Sequence, residues 1–120
     1  WFFHVPGLKV VYPSNPYDAK GLLTSSIDDP NPVLYFEHKK LYRSISGEVP
    51  TESYSICLGK AKIVKKGKQL SIITYGLGVH WALEFCQSSD YDIEILDLRT
   101  LIPLDSESIF NTVKKTNRIL

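Results

Sequence analysis

Residues 70–120 read LSIITYGLGVHWALEFCQSSDYDIEILDLRTLIPLDSESIFNTVKKTNRIL, and the order of apolar runs in this stretch decides the fold. Leu70 to Tyr75 is short, apolar and β-branched, which predicts a strand. Val79 to Gln87 carries Val79, Ala82, Leu83 and Cys86 at helical spacing, so a helix is expected with that stripe against a core. Ile93 to Leu98 is a second strand and Ser106 to Lys115 a second helix, with Asp105 as its cap and Leu104 placed to staple to Ile109. Arg118 onward begins another strand. The order β-α-β-α-β implies parallel strands joined by right-handed crossovers.

Working back from Leu70, the turn Lys65-Lys66-Gly67-Lys68 follows a strand-like Ser55 to Val64. The segment from about His38 to Gln69 is otherwise polar and irregular, as a linker with an entry strand would be. Before it stands a second unit. Leu8 to Tyr12 reads as a strand stopped by Pro13. Asn15 can cap a helix, Pro16 suits its first position, and Asp18 places a carboxylate in the positive first turn. Ala19, Leu22, Leu23, Ser26 and Ile27 then mark one small-to-apolar face until Pro30 and Pro32 end the helix. Pro32 to Glu37 is a nearly continuous apolar strand of the kind buried on both faces of a parallel sheet. The chain therefore reads as two incomplete α/β sheets, the tail of one and the front of another.

Composition sets bounds on function. The 120 residues carry 14 basic and 13 acidic side chains, a net charge of +1, and 43% apolar residues. That is one domain's worth of ordinary globular chain, able to bury roughly two-thirds of its unfolded surface. The balance of charge argues against nucleic acid or an anionic membrane as partner, both of which call for a concentrated positive field. No apolar run approaches the length needed to span a bilayer. Cys57 and Cys86 lie far apart, which excludes C-x-x-C chemistry and fits a reducing compartment. The chain opens Trp1-Phe2-Phe3 without Met and closes on the apolar Ile119-Leu120, so a piece of something longer is expected.

Among the motifs, Tyr75-Gly76-Leu77-Gly78-Val79-His80-Trp81 sets G-x-G between strand and helix, where a phosphate can meet backbone N–H groups. Trp81 stands where a dinucleotide fold needs a third small residue, so a tight turn explains the glycines better. His80 and Glu84 form an i, i+4 pair on the next helix, with no third ligand at metal spacing, so His80 reads as a structural histidine or as half of a solvated surface pair. Asp97-Leu98-Arg99-Thr100 sits at the carboxyl end of a strand, where α/β sheets place ligands, although a buried or interfacial ion pair is the commoner use of such a tetrapeptide. Lys60, Lys62, Lys65, Lys66 and Lys68 line the wet side of a strand and its turn. Ser14, Ser44 and Ser46 lack any nucleophile elbow. At Ser25 to Pro32 a helix ends and two prolines that cannot donate follow, which leaves carbonyl oxygens free at the negative end of the dipole, apt for a cation.

Taken together, His4-Val-Pro-Gly-Leu-Lys-Val-Val, Pro13-Ser-Asn-Pro-Tyr-Asp-Ala-Lys-Gly-Leu-Leu, Tyr35-Phe-Glu-His-Lys-Lys-Leu-Tyr-Arg43, Ile73-Thr-Tyr-Gly and Asp97-Leu-Arg-Thr-Leu-Ile-Pro-Leu-Asp105 resemble the beta subunit of the decarboxylating component of 2-oxo-acid dehydrogenase complexes, of pyruvate or branched-chain type. The resemblance covers essentially the whole chain, in order. It implies an α/β fold in which the end of a pyrimidine-binding-domain parallel sheet (residues 1–43) is joined by a connector and entry strand (44–68) to the first part of a transketolase C-terminal-type α/β domain (69–120).

The resemblance also implies thiamine diphosphate and Mg2+ as cofactors of the intact enzyme, and decarboxylation of a 2-oxo acid with transfer of the acyl unit to a lipoyl group. The implied partners are an alpha subunit or alpha region, a second beta subunit and the lipoyl-bearing acyltransferase. The family's activating glutamate and acyl-transfer histidine fall upstream of Trp1, so no catalytic residue is expected here and the fragment alone is expected to be inactive. His4 is implied only as a neighbour of the active-site entrance. In branched-chain members a potassium ion (K+) stabilises the beta subunit, and half of its ligand set matches Ser26, Asp29 and Asn31, mainly through main-chain oxygens. The implied location is the bacterial cytoplasm, ahead of the mitochondrial matrix. Competing readings are a transketolase or deoxyxylulose-phosphate synthase relative, against which Tyr35 to Arg43 argues, a non-catalytic α/β assembly module, and a nucleotide-binding half-domain at Gly76 and Gly78.

Overall fold

A computed structural model describes residues 1–120. A 3-10 turn at Phe2–His4 leads into β1 (Lys9–Val11). Helix α1 (Pro16–Asp28) begins where the Asn15 side chain accepts from the Asp18 N–H at 2.9 Å, with Pro16 at a position whose N–H would have had no partner. β2 (Val33–Tyr35) returns parallel to β1, Lys9 opposite Val33 and Val11 opposite Tyr35. A one-turn helix, α2 (Leu41–Ser44), opens the long irregular connection to β3 (Lys62–Lys65), which takes up only the last part of the strand expected over Ser55 to Val64.

That connection is packed down on α1. The Lys20 ammonium donates to the carbonyls of Pro50, Thr51 and Glu52, and Tyr54 stacks on Tyr17 with ring centroids 4.7 Å apart. Ile56 and Tyr54 press against Gly21, where a Cβ would lie 2.6 Å from Ile56 Cγ1. This shifts the buried face of α1 from the expected one: Asp18, Gly21 and Leu22 are buried, whereas Leu23 and Ile27 are 44% and 74% exposed. β2 is only half-buried, not covered on both faces, because it is the edge of its sheet.

The second sheet has the order β3-β5-β4. β4 (Leu70–Thr74), α3 (Leu77–Ser88) and β5 (Ile93–Asp97) form one parallel crossover with Leu70 opposite Ile93 and Thr74 opposite Asp97. Ile72, Ile93 and Ile95 meet Val79 and Ala82 of α3 in the core, with Leu83 and Cys86 packed beside them as their spacing predicts. Each aliphatic side chain fully buried there contributes about 1.5–3 kcal/mol. Because strand side chains alternate faces, Ser71 and Glu94 point the other way, toward α4 (Ser106–Thr116). Ser71 and Thr116 hydroxyls are 2.7 Å apart, and Lys115 pairs with Glu94. α4 is capped by Asp105, whose side chain accepts from the Ser108 N–H at 3.2 Å. The chain end begins the expected further strand: Leu120 N–H donates to Ser71 O at 2.9 Å and Ile73 N–H to Leu120 O at 3.0 Å.

Two pairings differ from an all-parallel arrangement. β3 runs antiparallel to β5, and a further strand, β6 (Thr100–Ile102), leaves the second unit to pair antiparallel with β1. The first sheet is therefore β2-β1-β6. The signal missed in the sequence is a turn at Leu98–Arg99 with no glycine: Arg99 itself adopts φ 57°, held by its N–H donating to Asp97 Oδ1 at 3.1 Å. The sheets thus share a continuous piece of chain. No helix is long and apolar enough to cross a membrane.

Candidate functional site

The turn that carries β5 into β6 delivers Asp97 and Arg99 to the start of α1. Arg99 grips Asp18 with two bonds, Nε to Oδ2 at 3.0 Å and Nη2 to Oδ1 at 2.5 Å, and both residues are buried. Asn15 Nδ2 donates to Asp18 Oδ2 at 2.7 Å, and the half-exposed Lys62 ammonium stands 4.0 Å from Asp18 Oδ1. Asp97 accepts from the Ser14 hydroxyl, while His80 Nε2 lies 2.7 Å from the Ser14 carbonyl and donates to it. Burial raises the Asp97 pKa above the ordinary carboxylate value. The Ser14 and Arg99 hydrogen bonds oppose that rise and the Asp18 charge adds to it. Groups from β3, α3 and the β5–β6 turn therefore close on the β1–α1 junction, and they are consumed in holding it.

Beside that junction, the carboxyl ends of β1 and β2 open into a cavity of about 290 Å³. Open α/β sheets bind ligands at this edge. Pro13, Ser14 and Asn15 form one wall and Glu37, His38 and Tyr42 the other. The Tyr42 hydroxyl donates to Glu37, the main reason its pKa is raised. The Lys40 N–H donates to His38 Nδ1 at 3.3 Å.

The residues singled out from the sequence do not converge. His4 is exposed at the end of the 3-10 turn, its ring edge-on to Phe3 at 6.0 Å between centroids. Ser26, Asp29 and Asn31 lie around the carboxyl end of α1, the opposite end of that helix from the Asn15–Asp18 junction. The Ser26 hydroxyl donates to Leu22 O at 2.7 Å. Asp29 Oδ1 accepts from Asn31 N at 2.9 Å and Asn31 Nδ2 at 3.0 Å, and Oδ2 pairs with Lys9. The Lys9 bond foremost, then the two from Asn31, hold the Asp29 pKa down at about 2. No donor of this chain reaches the main-chain oxygens of Ser26, Asp29 or Asn31.

His80 turns away from the surface pairing with Glu84 and spans the two units instead. The G-x-G turn is filled by its neighbours: a Cβ at Gly76 would lie 2.4 Å from Tyr12 Cε1, and one at Gly78 would lie 2.2 Å from Thr74 Oγ1. These glycines admit side chains, which leaves no cradle for a phosphate. Arg99 does form the buried interfacial ion pair expected as the commoner alternative, but with Asp18; Asp97 takes the Arg99 main-chain N–H and the Ser14 hydroxyl instead. In the sequence Asp18 is marked only as a first-turn carboxylate; the need of a buried Arg99 for a partner is the signal that points further. Glu37, His38 and Tyr42 carry no motif that marks them as cavity walls.

Comparison with known proteins adds what geometry alone does not give. Residues 59–120 match the model of the transketolase C-terminal domain, and residues 1–45 that of the transketolase pyrimidine binding domain. The chain is 48% identical over 122 residues to the 2-oxoisovalerate dehydrogenase subunit beta of Bacillus subtilis (strain 168), covering 99% of this chain and 37% of that one. It is 53% identical to the pyruvate dehydrogenase E1 component subunit beta of Staphylococcus aureus (strain Mu50) over 94% of this chain and 36% of that one. With the acetoin:2,6-dichlorophenolindophenol oxidoreductase subunit beta of Cupriavidus necator the identity is 51%, over 99% and 36%. The chain thus spans little more than a third of these relatives. Among solved structures, a split gene transketolase described as an inactive beta4 tetramer superposes with a TM-score of 0.78 at 20% identity, covering 98% of this chain and 39% of that one. At that identity the likeness shows the fold.

Proposed function

The chain belongs to the transketolase family, with a pyrimidine-binding segment followed by a C-terminal-domain segment, and from that premise we propose that it is part of the beta subunit of a thiamine-diphosphate-dependent 2-oxo-acid dehydrogenase. The observation that carries the reading is identity near one half, across almost the whole chain, to beta subunits named for 2-oxoisovalerate and pyruvate. In this reading residues 1–43 close the pyrimidine-binding domain, 44–68 connect, and 69–120 open the C-terminal domain. The assembled enzyme decarboxylates a 2-oxo acid and passes the acyl group to the lipoyl group of an acyltransferase, with an alpha subunit or alpha region and a second beta subunit as partners, in the cytoplasm.

The residues present do not fit the diphosphate and its Mg2+. No three His, Cys, Asp or Glu side chains converge, and the G-x-G turn is closed by Tyr12 and Thr74. Those groups fall to other parts of the assembled enzyme. What this chain supplies is the edge of the cleft, the carboxyl ends of β1 and β2, held against the second unit by Asp18–Arg99, Ser14–Asp97 and Ser14–His80. His4, exposed ahead of β1, is proposed as a neighbour of the entrance.

Potassium does fit. The residues four places beyond Ser26 and Asp28 are Pro30 and Pro32, which have no N–H to give. Pro30 leaves the Ser26 carbonyl free, no donor of this chain takes those of Asp29 and Asn31, and the three oxygens suit a large monovalent cation while the Asp29 carboxylate stays with Lys9 and Asn31. Because Ser26 acts through its carbonyl, Ser26→Ala preserves potassium-dependent stabilisation.

The test is reconstitution of the full-length beta subunit with its alpha partner, thiamine diphosphate and Mg2+, assayed against 2-oxo acids, acetoin and sugar phosphates. Decarboxylation of a 2-oxo acid supports the reading. Turnover of acetoin alone moves the protein to the acetoin-cleaving relatives, and turnover of sugar phosphates alone to transketolase.

A further inference from the structure

A second cavity, larger than the one at the cleft edge, lies away from it on the other face of the second sheet. It measures about 400 Å³ and is walled by Ala61, Ile63 and Leu96 on the sheet side and by Asn111 and Lys115 of α4, with Glu94 of β5 at its base. Glu94 is fully buried. One carboxylate oxygen, Oε2, takes the Lys115 ammonium, whereas Oε1 has no hydrogen-bond partner. A buried acceptor left unsatisfied is costly, so a donor is called for at Oε1. Lys115 is 41% exposed and keeps N–H groups free beyond the one given to Glu94.

The charges restrict what can enter. A lone cation at Oε1 would be repelled by the Lys115 ammonium and a lone anion at Lys115 by the Glu94 carboxylate, while a molecule with both charges close together is attracted by both. The three apolar side chains beside the pair add a wall for an aliphatic group. We infer that this cavity is a binding site for a small zwitterion with an aliphatic side chain, an aliphatic α-amino acid, whose ammonium donates to Glu94 Oε1, whose carboxylate accepts from Lys115 and whose side chain lies on Ile63 and Leu96. Asn111, exposed at the rim, supplies a further amide contact. The site stands independently of the catalytic reading, since it shares no residue with the cleft edge.

The experiment is titration calorimetry of the full-length protein that carries this chain, with its partner subunit bound, using L-leucine as probe. Two single-charge analogues serve as controls: 3-methylbutylamine, which lacks the carboxylate, and 4-methylpentanoate, which lacks the ammonium. Saturable leucine binding with a Kd on the order of 1 mM or tighter is expected, with both analogues at least about tenfold weaker, the equivalent of 1.4 kcal/mol. Lys115→Met should weaken leucine to the level of the amine. Because Lys115→Met removes the partner of a buried carboxylate and can unfold the protein, Ile63→Lys and Asn111→Ala, at exposed positions, provide the second measurement and should each weaken binding severalfold. Absence of saturable binding, equal affinity for leucine and either analogue, or unchanged affinity in both rim variants overturns the proposal.

Discussion

Removing the Asp18 carboxylate is the sharpest perturbation of the joint between the two units. In Asp18→Ala the Arg99 guanidinium loses both of its hydrogen bonds to that carboxylate, at 3.0 and 2.5 Å, in a place where Arg99 is only 9% exposed. Breaking a buried pair by deleting one member costs about 3–5 kcal/mol, because the survivor is left charged without compensation. The Asp97 carboxylate still feels the Arg99 charge, which favours the lower end of that range. With a urea slope of about 1–3 kcal/mol per M, a loss of about 3 kcal/mol lowers the unfolding midpoint by about 1 M or more. The double variant Asp18→Leu/Arg99→Met, which removes both charges and keeps the volume, should recover most of the loss, giving a coupling of about 2–3 kcal/mol. Equilibrium urea unfolding followed by circular dichroism on the four members of the cycle measures it. A single-variant loss under about 1 kcal/mol, or additive effects in the double variant, refutes the reasoning.

Other outcomes follow from particular contacts. Gly67→Ala would put a Cβ 2.1 Å from the carbonyl carbon of Ile93, a backbone atom that cannot swing aside. It should cost at least about 1–3 kcal/mol in thermal or urea unfolding, whereas Gly47→Ala, whose Cβ meets nothing nearer than 3.8 Å, should be close to neutral. Carboxyl 13C shifts should place the Asp29 midpoint at about 2 and return it toward the ordinary 3.8 in Lys9→Met. Since the folded value is the lower one, the Lys9–Asp29 contribution is present above the unfolded pKa and lost as pH falls toward 2, so Lys9→Met should flatten that part of the acid-unfolding curve. Asp105→Ala removes the cap on α4 and the acceptor of the Ala61 N–H at 3.0 Å, a loss of about 1–2 kcal/mol in the same unfolding assay.

The elements were legible where local chemistry was strong. Asn15-Pro16 and Asp105 announced the starts of α1 and α4 because capping is decided within one turn of chain. The β4–α3–β5 crossover was legible because both strands are apolar and Val79, Ala82, Leu83 and Cys86 repeat at helical spacing. β6 was not, because its residues, Thr100–Ile102, pair with a strand about ninety positions away and the turn before it rests on Arg99 at positive φ. The buried face of α1 is hidden from the sequence for a similar reason. What covers it is Tyr54 and Ile56 of an irregular segment, which no periodicity within the helix reveals. At the functional level the free carbonyls after Ser26 could be foreseen from Pro30 and Pro32. The union of Ser14, Asp18, His80, Asp97 and Arg99 could not, since each is ordinary alone and only the crossing of β6 brings them together.

Native-state hydrogen exchange tests that crossing most directly. If β6 and the Asp18–Arg99 pair make one body of the two units, the Tyr12 amide, which donates to Arg99 O at 2.8 Å, should exchange with the same opening free energy as Ile95 in the core of the second sheet. Exchange of Tyr12 through a separate opening, several kcal/mol cheaper than that of Ile95 and insensitive to Asp18→Ala, would contradict the account.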